Sequence, residues 1–193
     1  MEVTATTKFV RLSPKRARDL AREIHPFLVE LSEKTGETAS LSMLEGDHAV
    51  YIDQVVSKSM IRGQPRIGLH LGLHCNSGGK LLLSGLPDHK IEEFITSHTL
   101  EKKTDKTITD SQKLRREIQK IREQGYATDD EEVEPGGRCV AAPLMDKNGR
   151  IIAAISVMGP TTRIRQKDFP KFAQVVKEEV MKASQSLGYI EAP

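Results

Sequence analysis

Apolar positions recur at helical spacing in three stretches of the chain. Ala17, Leu20, Ile24, Leu28 and Leu31 fall at three- and four-residue steps and predict a helix that Gly36 ends. Pro26 interrupts this pattern, so a kink or a split is expected there. Leu114, Ile118 and Ile121 form a second stripe, with Thr109 and Gln112 spaced as a capping box ahead of it and Gly125 as its stop. Phe169, Phe172, Val176, Val180, Ala183 and Leu187 make the third, closed by Gly188. Elsewhere the period drops to two. Residues 38–44 alternate, with Ala39, Leu41 and Met43 on one face, and residues 48–56 are rich in Val, Tyr and Ile; Gly46-Asp47 joins the two as a hairpin. Residues 139–145 and 151–158 repeat that form across Asp146-Lys147-Asn148-Gly149. Residues 66–73 are a further strand candidate. The order is helix, hairpin, strand, helices, hairpin and helix. It predicts an α+β domain with an antiparallel sheet rather than a parallel βαβ array.

Bulk properties narrow the class. The chain has 193 residues, 37% hydrophobic and 29% charged, which suits one domain with a substantial core. Lys and Arg number 29 against 27 Asp and Glu, a net charge of +2, without the basic excess of a free-standing DNA-binding domain. Two separated cysteines with no CxxC exclude a disulfide framework and point to a reducing cytoplasm. No apolar run approaches the ~20 residues needed to span a bilayer, so no membrane partner is expected. Residues 1–10 read as a leader remnant, and one domain is expected over residues 11–190.

Four groups of residues carry candidate chemistry. His74-Cys75-Asn76-Ser77-Gly78-Gly79-Lys80 precedes an apolar helix, and small residues there expose amides at the positive end of the helix dipole. The segment is either an anion-binding nest or a Gly-rich turn with a cap; P-loop spacing is absent. Asp129-Asp130-Glu131-Glu132 offers carboxylates for a metal or for acid–base work. Strand alternation lets only two of them share a face, so most of the run reads as a solvated acidic edge, with one acid facing inward near Cys139 able to hold its own proton. Ser156 interrupts an apolar strand on the face of Ala154 and Met158, as a core serine or as a pocket wall. His70 and His74, four apart with Cys75 adjacent, would share a strand face and make a zinc site conceivable, although the spacing fits no common zinc motif.

Six segments in order resemble the effector-binding domain of IclR-type transcription regulators. They are LSEKTGETASL (residues 31–41), HAVYIDQV (48–55), GGKLLL (78–83), GYATDDEE (125–132), GGRCVAAPLMDKNG (136–149) and AAISVMGPTTR (153–163). The resemblance implies a GAF-like fold: a curved antiparallel sheet with helices on its convex side and a ligand pocket under loops on the other. It implies a sensor of a small carboxylate metabolite, not an enzyme, which works as a dimer or tetramer. Operator DNA would be read only by an N-terminal winged helix-turn-helix that this chain lacks. Carried over position by position, the ligand-binding amides fall at Ser77, Gly78 and Gly79, the acid at Asp129, the cysteine at Cys139 and one serine at Ser156. The second serine is replaced by Met158, which makes that wall less polar and suits a larger or more apolar acid. No cofactor is implied beyond the zinc option at His70, His74 and Cys75. A rival reading is a GAF-like enzyme that reduces free methionine sulfoxide with pocket cysteines.

Overall fold

The computed structural model describes residues 13–191; the proposed leader remnant, residues 1–10, lies outside them. The chain starts with α1 (Pro14–Thr35), whose caps are legible in its sequence. The Ser13 hydroxyl accepts from the Arg16 amide, Pro14 sits in the first turn, and Gly36 closes the helix at φ 72°. Pro26 neither splits nor ends it. Both Pro26 and Arg22, whose carbonyl loses its usual partner, are exposed, so that carbonyl is left on the solvent side while Ile24, Leu28 and Leu31 stay buried.

The first hairpin is β1 (Thr38–Glu45) with β2 (His48–Val55), turned at Gly46, φ 61°. Its register slips between Leu41 and Ser42: Leu41 faces Asp53, Ser42 faces Tyr51, and Ile52 is the extra residue. The next strand is shorter than its composition suggested. Of residues 66–73 only β3 (His70–Gly72) pairs, because Gly68 at φ 84° breaks the extended run. Three helices follow: α2 (Ser77–Ser84), α3 (Asp88–Ser97) and α4 (Ser111–Gln124). Thr109 does not cap α4. Asp110 does, its Oδ1 accepting from the Lys113 amide at 2.7 Å. Asp110→Ala is expected to lower stability by about 0.5–2 kcal/mol, read as a fall in Tm of roughly 2–6 °C in a chain of this size.

The rest is β4 (Ala127–Asp130), β5 (Gly137–Met145), β6 (Ile151–Pro160), a 3-10 turn at Gln166–Asp168 and α5 (Phe169–Ser186). All six strands join one antiparallel sheet in the order β3-β2-β1-β6-β5-β4. Alternation splits its side chains between two layers. Ala39, Leu41, Val140, Ala142, Ile155 and Val157 face α1 and α5 in the larger core. Ala141, Ala154, Ala49 and Ala127 face α2, α3 and α4 in a second core. The alanines on that face let α2 lie close to the strands, and Gly78 continues the theme: a Cβ there would meet Ser42 Oγ at 2.7 Å. Toward β3 and the far ends of β5 and β6 the helices stop short and loops take over. No described helix is long and apolar enough to cross a membrane.

Candidate functional site

Where the helices stop, a cavity of about 440 Å³ opens between the sheet and the loops. Its floor is one register row. β4 sets Asp129 opposite Cys139, and β6 sets Met158 opposite Cys139 from the other side. Tyr51, Leu69 and Leu71 form one wall, and residues 133–137, the turn after the acidic run, form another. Residues 61–65 of the β2–β3 loop make the rim. That rim is stapled down. The Thr38 hydroxyl donates to the Gly63 carbonyl, and Arg163, held by the buried Glu37 carboxylate, donates to the Ile61 carbonyl. Met158 packs so closely on Gly63 that a Cβ there has no room.

The sequence-predicted residues divide into two sets. Asp129, Cys139 and Met158 line the cavity. Ser77, Gly78, Gly79 and Ser156 are buried beside it without forming its wall. The Ser77 hydroxyl acts on the Cys139 thiol, which puts the start of α2 directly behind the floor. The Ser77 and Gly78 amides, first and second in α2, have no acceptor within the helix. Gly79 differs from its assignment. Its amide already donates to Asn76 Oδ1 at 2.7 Å, and the residue is small because the Leu73 backbone is 2.9 Å from where a Cβ would sit. Gly79 is a packing glycine.

Zinc is not supported. β3 ends at Gly72 and the chain turns, so His70 and His74 do not share a strand face. His70 contacts the Glu45 carboxylate, and His74 contacts the Glu101 carbonyl. Among the described residues no three His, Cys, Asp or Glu side chains gather to hold a metal.

The acidic run is also less solvated than its composition implies. Asp130 pairs with Arg138 at the edge, but Glu131 takes φ 63° and turns the chain, so that Glu132 joins Asp129 inside. There the Lys80 ammonium, itself 0% exposed, meets Glu132 Oε1 at 2.5 Å and Glu117 Oε1 at 3.3 Å. The Glu132 amide donates to Asp129 Oδ1 at 2.7 Å. Helix α2, the acidic turn and the cavity floor are therefore tied through one buried lysine. Burial pushes the Asp129 carboxyl up to about 7, and the Glu132 carboxylate adds to that; the Glu132 and Val133 amides and Lys80 oppose it. Burial likewise raises the Cys139 thiol and the Tyr51 hydroxyl well above their ordinary values, and raises Cys75 to about 11. Cysteines held as thiols are poor nucleophiles. The cavity presents an acid that keeps its proton up to about 7, a thiol, a phenol and an apolar wall.

The family model described as "Bacterial transcriptional regulator IclR C-terminal" matches residues 15–185. The chain is 32% identical to the HTH-type transcriptional regulator XynR of Escherichia coli over 171 residues, 89% of this chain and 68% of that protein. It is 35% identical to the HTH-type transcriptional regulator BhcR of Paracoccus denitrificans over 178 residues, 92% of this chain and 62% of that one. It thus spans about two thirds of the length of these relatives. Among solved structures it is similar to the IclR of Thermotoga maritima, with TM-score 0.84, 34% identity, and coverage of 90% of this chain and 71% of that one. It is also similar to the inducer-binding domain of the PobR transcription factor from Acinetobacter, solved as a double mutant in complex with 3-hydroxybenzoic acid. There the TM-score is 0.78 at 25% identity, covering 85% of this chain and 97% of that one. With the predicted fold, these matches show that the chain belongs to the IclR C-terminal domain family, whose matched members are transcription regulators and not enzymes.

Proposed function

We propose that this domain senses a small carboxylate metabolite, and that its occupancy changes how copies of the protein are arranged in a dimer or tetramer. In the whole regulator that arrangement positions a DNA-reading winged helix-turn-helix on its operator. The observation that carries the reading is the cavity wall on which Asp129, Cys139 and Tyr51 converge, with Asp129 keeping its proton up to about 7. A carboxylic acid that keeps its proton donates a hydrogen bond to an anion where a carboxylate would repel it. The open amides of Ser77 and Gly78 and the dipole of α2 add positive potential behind the floor. Arg62 supplies a cation at the rim; it donates to the Ser59 carbonyl and pairs with no carboxylate among the described residues. The PobR domain bound to an aromatic carboxylate supports the same ligand class. Two free thiols fit a cytoplasmic setting. Switching requires that the effector bind the two arrangements with different affinity.

A thermal-shift screen of metabolite acids is the test. An acid present at a hundred times its Kd is expected to stabilise by about 2.7 kcal/mol, a shift of roughly 5–10 °C. Gly137 lies two residues before Cys139 on β5, lines the cavity, and has only ordinary contacts where a Cβ would sit. Gly137→Phe is therefore expected to fill the cavity and to weaken binding at least about tenfold, a loss of 1.4 kcal/mol or more, without unfolding the domain. Undiminished stabilisation in this variant places the effector elsewhere.

A further inference from the structure

Two buried polar atoms on the cavity face of the sheet have no partner. Ser40 Oγ on β1 and Gln54 Oε1 on β2 are both closed to solvent and form no hydrogen bond among the described residues. Register sets Ser40 directly opposite Gln54 on one side and opposite Ser156 on the other, so the three make one polar row across β2, β1 and β6. Ser40 is 1% exposed. The adjoining row, two residues along, runs Thr38, Met158, Cys139, Asp129, and its last three members line the cavity. Met158 therefore stands between the cavity and the orphaned pair. It is held there by packing on Gly63 and not by any hydrogen bond, and an unbranched thioether with three rotatable bonds swings aside without backbone movement.

An unpaired buried hydroxyl beside an unpaired buried amide oxygen is an unfavourable pair to keep in a core. It makes sense where something polar arrives to complete it. The Gln54 oxygen accepts only, whereas Ser40 donates or accepts, so the group that satisfies both must donate to one and remain able to accept from the other. An alcohol hydroxyl does this, and does so for either orientation of the Gln54 amide. A second carboxylate cannot donate to Gln54, and a hydrocarbon leaves both atoms unmatched.

We propose that Ser40 and Gln54 form a second polar subsite, reached when Met158 rotates, that takes hydroxyl groups of the effector. The effector is then a hydroxylated carboxylic acid, with its carboxyl near Asp129 and its hydroxyls toward β1 and β2. The proposal rests on the reading of the cavity as the effector site. It adds the chemical class, and it assigns specificity to two residues outside the cavity wall.

Calorimetric titration with matched acids separates the two claims. Glycerate is compared with propionate and gluconate with hexanoate, on the unaltered protein, on Ser40→Ala and on Ser40→Ala/Gln54→Leu. In at least one pair the hydroxylated acid is expected to bind about tenfold or more tighter than its deoxy partner, because a site built to bond a hydroxyl rejects the analogue lacking it. That preference is expected to fall to within about threefold in the double variant, the loss of one good hydrogen-bonding arrangement. Ser40→Ala without effector is expected to melt no lower than the unaltered protein, since it deletes an orphan; a residue with a purely structural role would melt lower. Should the double variant fail to fold, the single variant is read alone for the same loss of preference. Equal affinity within both pairs, or a preference that survives substitution, overturns the subsite and leaves the carboxylate sensor standing. No binding of any of the four acids overturns both.

Discussion

Raising the pH from 6 to 9 is expected to weaken binding of a carboxylate effector by about a hundredfold, close to tenfold per unit above 7. The cause is Asp129. In the fold it keeps its proton up to about 7, because burial and the Glu132 carboxylate disfavour its charge. The groups that surround it are Cys139, Cys75 and Tyr51, all held neutral by burial, with Lys80 compensated by Glu132 and Glu117. Lys80 is therefore no spare cation for an ionised Asp129, and Arg62 stands at the rim, so an incoming carboxylate is expected to favour the protonated form strongly. The competent fraction then shrinks as pH climbs past 7. The same shift affects stability. The unfolded carboxyl ionises near 3.8, so folding loses nothing from this group below that value, loses progressively more between 3.8 and 7, and carries a constant penalty above. Asp129→Asn keeps the acceptor for the Glu132 amide and cannot ionise. It is expected to flatten the pH profile of binding and to stabilise the domain at pH 8 by up to about 4 kcal/mol, with no gain near pH 4. Calorimetry across pH and denaturant melts at pH 4 and 8 check both. An equally steep pH profile in the Asn variant would assign the proton to another group.

Lys80→Met is expected to be the most damaging conservative-sized change in the domain. It leaves the Glu132 carboxylate, 6% exposed, without its cation. Removing one partner of a buried ion pair costs about 3–5 kcal/mol, and in a chain of this length Tm should fall on the order of 10 °C. Two features distinguish this from simple loss of packing. The deficit should shrink at low pH, where Glu132 relieves its own charge by taking up a proton. Lys80→Met/Glu132→Leu should recover most of it, because an apolar pair of similar volume replaces a buried ion pair at little cost. A double variant as unstable as the single one would show that Lys80 acts through its contacts along α2 and not through its charge.

These two residues mark the boundary of what the sequence reveals. Asp129 was legible in part: the family resemblance, not the spacing, singled it out, and strand alternation beside Cys139 turns one acid of the run inward. The core was legible for the same reason, since the three helical stripes and the two hairpins each repeat a period over many residues. Lys80 was not. It lies inside the apolar GGKLLL run with its partner 52 positions away, and nothing local marks a lysine that will be fully buried. Glu132 was hidden by assuming that strand alternation continues, which the left-handed Glu131 ends. Tyr51 and Gln54 were hidden by the slipped register opposite Leu41 and Ser42. The rim was hidden because residues 57–65 follow neither period, and Ile67 and Leu69, read as part of a strand, stay exposed in a loop with Met60 and Ile61.

The extra residue in β2 has a consequence for reading other members of this family. Because Ile52 adds one position, Asp53 points to His25 on α1 while Tyr51 and Gln54 both lie on the cavity side. Deleting Ile52 would restore an even ladder with every face unchanged, whereas keeping Ile52 and pairing it in place, without the bulge, would swing Asp53 inward and Gln54 toward the helix layer. The polarity of this face of the sheet is thus set by whether the extra residue is looped out as well as by residue identity. Two homologues with the same side chains through β2, one bulged here and one paired evenly, would offer opposite chemistries on this face.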